Sequence, residues 1–280
     1  MADKAQQGQD PRQEQAHDLG LEHGAPQFRS VDLKILRQAL HLGWADMRRA
    51  PVLGAVFAGV YVLLGLVMTW VTLRTGQSYW LVFAAVGFPL VGPFTAVGLY
   101  EVSRELERGK GLDFRRIFGV ILQQSRRQLP SMSAIIIFIF LFWFFLAHMI
   151  FALFMGTMTM TNVSTSFEVF QSVNGVIMLG IGTVIGAGFA LLLYMITVVS
   201  LPMLLDRELD YVTAMVTSFV LVRDNAIPML FWGLFIAVLT FVAMLPGFLG
   251  LFIALPLLGH ATWHLYSLLR LEPEHPAPGS

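Results

Sequence analysis

Charge is confined to a few short segments of this chain, and long apolar stretches separate them. Stretches free of Asp, Glu, Lys and Arg run from Ala50 to Leu73 and on from Thr75 to Tyr100, from Gln128 to Phe167, from Val169 to Leu205, and from Asn225 to Leu269. Runs of about 18 or more apolar residues read as membrane spans. As a helix, Val52 to Leu73 would rise about 33 Å, enough for a hydrocarbon core of roughly 30 Å. A turn around Arg74 to Gln77 leads into a second span over 79–100. There Pro89, Gly92 and Pro93 predict a kink whose freed carbonyls need hydroxyls or neighbouring helices. The third and fourth spans fall at 131–155 and 175–201. The last run of 45 residues is twice too long for one crossing and has Pro246-Gly247 near its middle, so it divides into 228–245 and 248–269. The pattern predicts an all-α, polytopic membrane protein with six transmembrane helices.

The flanks are different in kind. Residues 1–27 are rich in Gln, Asp, Glu, Gly and Pro, which predicts a disordered cytoplasmic tail, and 272–280 read as a second flexible tail. The membrane domain is then 28–271. The N-terminal stretch has no apolar core of signal-peptide length, so the first span is expected to direct insertion. From Val31, the residues Ile35, Leu36, Ala39, Leu40 and Met47 recur at helical spacing among polar ones, predicting an amphipathic helix on a membrane face. The unit of basic amphipathic stretch, proline and span recurs at Arg48-Arg49-Ala50-Pro51, at Arg126 to Pro130 and at Arg223 to Pro228. Pro89-Leu-Val-Gly92 with Thr95 is echoed by Pro256-Leu-Leu-Gly259 with Thr262. Three pseudo-repeats, each an interfacial helix plus two spans, account for both patterns. With both termini inside, 17 of the 18 Lys and Arg lie on the inner side and Arg74 alone lies outside, which predicts cytoplasmic termini.

Composition narrows the function. At 56% hydrophobic and 13% charged, a water-soluble globule is excluded. Zero net charge offers no basic face for nucleic acid. The absence of cysteine removes disulfides, thiolate metal sites and thiol nucleophiles.

The stretches LRQALHLGWADMRRAPVLGAVFAGVYVLLG, FPLVGPFTAVGLYEVSRELERG and VVSLPMLLDRELD resemble the bacterial integral-membrane family known as domain-of-unknown-function family 2189. The likeness extends over most of residues 30 to 270, and the block from Gly92 to Gly109 is its most specific part. The resemblance implies a bacterial inner-membrane protein and supplies no activity or functional residues. Some members carry a cytochrome c oxidase subunit label. With only His148, His260 and His264 inside its spans, this chain lacks the histidines of a haem-copper catalytic core.

Candidate chemistry is sparse. No span has an Asp, Glu, Lys or Arg at its centre, which argues against a cation-coupled pump. Pro89, Gly92, Pro93 and Thr95 are the place for a cavity, against a kink that serves packing alone. His260 and His264 stand four apart on the last helix, a spacing that suits a metal or haem, with interhelical hydrogen bonding as the plainer role. Met155, Met158 and Met160, with His148 two turns upstream, offer thioethers to Cu(I), against flexible apolar filling at a helix end. Gly182 and Gly186, flanked by Gly180 and Gly188, suggest close helix packing or an oligomer contact. Glu101, Arg104, Glu105 and Arg108 read as a solvated helical extension, or else as a docking surface. Arg115, Arg116, Arg126 and Arg127 are expected on anionic headgroups, and Asp206, Glu208 and Asp210 as solvated. No catalytic motif is found, so no enzyme and no cofactor are expected, copper or haem being the lesser reading. The expectation is a non-enzymatic structural, assembly or regulatory partner of a membrane complex. The alternative is a transporter or channel for a small uncharged or zwitterionic molecule, and a weaker one is copper or haem handling linked to a respiratory oxidase. The bilayer is the expected partner, with another membrane complex or a second copy beside it.

Overall fold

The computed structural model describes residues 22–76, 81–156 and 171–271. Its helices are α1 (Leu33–Arg49), α2 (Pro51–Thr75), α3 (Leu81–Glu107), α4 (Phe114–Gln124), α5 (Leu129–Met155), α6 (Val173–Thr197), α7 (Ser200–Asp206), α8 (Tyr211–Asp224), α9 (Ala226–Met244) and α10 (Leu251–Leu269). A short helix followed by two long ones recurs as α1–α2–α3, α4–α5–α6 and α8–α9–α10, with α7 set between the second and third units. Each short helix is capped by an aspartate: Asp32 accepts from the Ile35 amide at 2.7 Å, Asp113 from Arg115 at 2.9 Å and Asp210 from Thr213 at 2.9 Å. These caps stand 19, 17 and 18 residues before Pro51, Pro130 and Pro228. Each proline falls in the first turn of the following long helix, where its missing N–H has no partner to lose.

The chain is an all-α polytopic membrane protein. Among the described residues, five helical segments are long and apolar enough to cross a membrane: α2, α5, α6 continued by α7, α9 and α10. The span expected at 79–100 lies in α3, which runs unbroken through Pro89 and Pro93 for 27 residues. The final hairpin turns where Gly247 and Phe248 both take left-handed backbone angles, φ 63° and 67°. The candidate Met158 and Met160 lie outside the described residues.

Hydropathy sorts the helices inside out. α5, with mean hydropathy 2.7, has 6% of its most apolar window buried, whereas α10, at 1.2, has 61% buried. α10 carries Thr262, Trp263, His264, Tyr266 and Ser267, whose polar atoms find no partner in hydrocarbon and so belong inside protein. α5 and α6 expose most of their apolar surface to lipid, although Tyr194 of α6 donates to the Met229 carbonyl of α9 at 2.7 Å. Trp263, Leu265, Tyr266 and Leu269 are among the fully buried side chains of the main core.

Helix α1 departs from the expectation of a helix lying on a membrane face. It is amphipathic, but its stripe of Ile35, Leu36, Ala39, Gly43 and Asp46 is buried, and it approaches α10 closely. A Cβ on Gly43 would stand 2.6 Å from the Ala261 backbone nitrogen. The segment before it also differs from the disordered tail expected to residue 27. β1 (Glu22–His23) pairs in parallel with β3 (Arg207–Glu208), and β2 (Gln27–Phe28) pairs antiparallel with β4 (Arg270–Leu271). The Arg29 amide then donates to the Leu269 carbonyl at 3.0 Å, so carbonyls left over at a helix end supply the order that composition does not.

Gly43→Val is therefore expected to lower stability by about 1–3 kcal/mol through overpacking. Gly182→Ala, where an added Cβ meets nothing within 4 Å, is expected to be neutral. Thermal unfolding of both variants in mild detergent checks the pair, and equal behaviour would refute the close α1–α10 contact.

Candidate functional site

A cavity of about 200 Å³ lies among α2, α3, α9 and α10. Its lining includes Tyr61, Gly92, Thr95, Tyr100, Thr240, Gly259 and Thr262. Both halves of the repeated proline–glycine–threonine pattern thus reach the same space, Gly92 and Thr95 from α3 and Gly259 and Thr262 from α10. The hydroxyl of Tyr61 donates to the Phe88 carbonyl at 3.2 Å, in the turn that contains Pro89. Gly92 makes room for it, since a Cβ there would stand 2.7 Å from the Tyr61 oxygen. Pro93 is buried in α3 but does not line the space.

The hydroxyls define what this cavity can hold. Thr95 donates to the Gly92 carbonyl at 2.9 Å and Thr262 to the Leu258 carbonyl at 2.7 Å, each within its own helix. Those bonds use the donors and leave oxygen lone pairs to accept. Tyr100 is 5% exposed, and its hydroxyl forms no hydrogen bond with any described residue. Acceptors and one unmet donor, with no charged side chain in the lining, suit a small neutral polar molecule.

Next to Gly259, the two histidines of α10 bridge to other helices. His260 Nδ1 is 2.8 Å from Ser103 Oγ of α3, and His264 Nε2 is 2.6 Å from Asp46 Oδ2 of α1. A carboxylate from α1 therefore stands beside His264, and both histidines take the plainer role of interhelical hydrogen bonding. Asp46 continues the buried stripe of Ile35, Ala39 and Gly43 at helical spacing, so a charge on an apolar face was the signal to heed. Among the described residues no group of three His, Asp or Glu side chains is arranged to hold a metal ion. His260 Nε2 has no partner among them.

Beyond the histidines lies a buried ionic layer. Glu101 and Glu105 are 1% and 2% exposed, which corrects the expectation of a solvated extension; Arg104 is buried too, and Arg108 alone of the four faces outward. The reason is tertiary: α4, α7 and α10 wrap the end of α3. Arg104 donates to the Leu205 carbonyl at the end of α7, at 2.9 Å, where the helix dipole favours a cation. Its contact with Glu101 at 2.8 Å and that of Arg116 with Glu105 at 2.6 Å are charge contacts outside directed hydrogen-bond geometry. Arg116 and Arg127, expected on headgroups, thus face carboxylates, Arg127 standing 3.8 Å from Glu208. Asp206, expected to be solvated, is buried and accepts from Tyr266 at 2.7 Å and from Arg270. Burial alone would lower the Arg270 pKa, but the adjoining Asp206 carboxylate outweighs it and the guanidinium is held above its ordinary value. Glu107 closes the layer by accepting from the Trp263 indole at 3.0 Å and from the Ser267 hydroxyl.

The remaining candidates are scattered. Met155 ends α5, and His148 is exposed with its Nδ1 on the Phe144 carbonyl at 2.8 Å. Gly186 lies against the Trp143 indole, whereas nothing lies within 4 Å of a Cβ built on Gly180, Gly182 or Gly188. Since the Asp46–His264 bond ties α1 to α10, Asp46→Ala is expected to lower stability by about 1–3 kcal/mol, the cost of an unmet buried polar group. Chemical or thermal unfolding in detergent measures it, and an unchanged midpoint would deny the bond that role.

Among curated proteins and among solved structures nothing matches the chain. A family model described as "Predicted integral membrane protein (DUF2189)" matches residues 81–206, from the start of α3 to the end of α7. That stretch contains the Gly92 to Gly109 block, Thr95 of the cavity, and Glu101, Arg104, Glu105 and Asp206 of the ionic layer. Residues 81–206 thus match the DUF2189 family of predicted integral membrane proteins, the family that the sequence resembles.

Proposed function

We propose that this is a non-enzymatic membrane protein that binds a small uncharged or zwitterionic molecule in the cavity among α2, α3, α9 and α10 and carries it across the bilayer. The observation that bears this reading is the convergence of Gly92 and Thr95 with Gly259 and Thr262 on one hydroxyl-lined space. Two copies of a repeat meeting at one cavity is the arrangement in which carriers hold their substrates. The excess of Lys and Arg on one side supports a bacterial inner membrane with both termini cytoplasmic.

The test uses proteoliposomes and osmotic swelling with glycerol, erythritol and urea as probes. Flux of at least one probe above that of empty liposomes is expected. Thr95→Val and Tyr100→Phe, which remove hydroxyls but keep shape, should each slow it by roughly tenfold, about 1.4 kcal/mol of lost hydrogen bonding. Flux equal to empty liposomes for all three probes, or variants that match the parent, would refute the reading.

A second reading has its own support. α5 and α6 have 6% of their most apolar windows buried, and a Cβ added at Gly180, Gly182 or Gly188 would meet nothing within 4 Å. Such a hairpin suits a structural, assembly or regulatory partner that docks another membrane protein within the bilayer. Tagged protein purified from native membranes in mild detergent would then bring a near-stoichiometric companion seen by mass spectrometry, lost on Gly182→Leu. A clean monomer would count against it.

A further inference from the structure

A second concavity, larger and of different character, lies between α1 and α9. It measures about 710 Å³ and is walled by Leu33, Leu36 and Arg37 on one side and by Ile227, Phe231 and Phe235 on the other. The two walls are pinned at one end, where the Val31 amide donates to Asn225 Oδ1 at 2.8 Å. From there the groove follows each helix for about two turns, roughly 12 Å. Its apolar lining is open, with Leu33 63%, Phe231 60% and Ile227 86% exposed. Because α9 is itself long and apolar enough to cross a membrane, the neighbour already available to this surface is a lipid chain.

The charges at the rim say which lipid. Asp32 caps α1 by accepting from the Ile35 amide, and among the described residues it forms no ion pair with Arg37. Arg37 is exposed and forms no ion pair with any described residue. The groove thus offers an apolar bed for hydrocarbon and one uncommitted cation at its edge, the complement of a lipid whose phosphate carries uncompensated negative charge. We propose that this groove is a binding site for one anionic phospholipid, its acyl chain along Phe231 and Phe235 and its phosphate on the Arg37 guanidinium. The site is separate from the hydroxyl-lined cavity and does not depend on what that cavity carries.

The experiment is native mass spectrometry of the full chain in mild detergent, given equal amounts of phosphatidylglycerol and phosphatidylcholine with the same acyl chains. The first phosphatidylglycerol adduct is expected to be retained roughly fivefold over phosphatidylcholine, the effect of one cation at a lipid headgroup. Arg37→Gln should abolish that preference. Arg48→Gln, which removes an exposed cation of the same helix that stands over Trp44, should keep it. Ile227→Trp should reduce retention of both lipids by filling the groove. Equal retention of the two lipids by the parent chain, or an undiminished preference in Arg37→Gln, would overturn the proposal. So would a groove occupied by a second copy, seen as a lipid-free dimer that Ile227→Trp dissociates.

Discussion

The hydrogen-bonding demand of α10 is the constraint on which the rest of this structure depends. Its face from His260 to Ser267 carries two imidazoles, an indole, a phenol and two hydroxyls, none of which lipid can satisfy. Apart from Thr262, which bonds within its own helix, the partners come from three other elements: Asp46 from α1, Ser103 and Glu107 from α3, and Asp206 from α7. To deliver them, α1 must lie close on α10, and α3 must bring its charged end inward. Gly43 is the steric condition for the first, and the Arg104 contact with the end of α7 helps to fix the second.

Once α10 is central, the other helices divide by what they lack. α5 and α6 have almost no polar side chains to satisfy, so lipid is an adequate neighbour and they are left at the periphery. α2, α3 and α9 surround α10 and, together with it, enclose the hydroxyl-lined cavity. Glycines let backbones and rings come close there, and Thr95 and Thr262 beside the space turn their donors back onto their own helices. The short N-terminal strands tie the first residues after α10 and the first residues after α7 to the same assembly. The cavity, the histidine bridges and the ionic layer are thus successive levels along one central helix.

Much of this was legible in one dimension. Apolar run length marks out the membrane helices, and the prolines at 51, 130 and 228 mark the starts of three of them. The aspartate caps at 32, 113 and 210 lie at near-equal distances before those prolines and would have strengthened the repeat. The pairing of Gly92 and Thr95 with Gly259 and Thr262 was also visible, though not that both would line one cavity. Less legible were the roles of the charges. Glu101, Arg104 and Glu105 look like a solvated helix by spacing, because spacing records only neighbours on the same helix. Their burial is decided by Arg116 and by α7, which periodicity along α3 does not register.

By itself the sequence determined that this chain is a helical membrane protein, where its long helices begin, and that its third unit carries the polar last helix. Those properties follow from hydropathy, proline and helical period, which act over a few turns. Only the tertiary structure decided that Asp46 would meet His264 across 218 positions, that α1 would lie on α10, and that a groove ending at Arg37 would remain open. Such outcomes depend on which polar atoms can find partners once water is gone, and that choice is made among helices rather than within one.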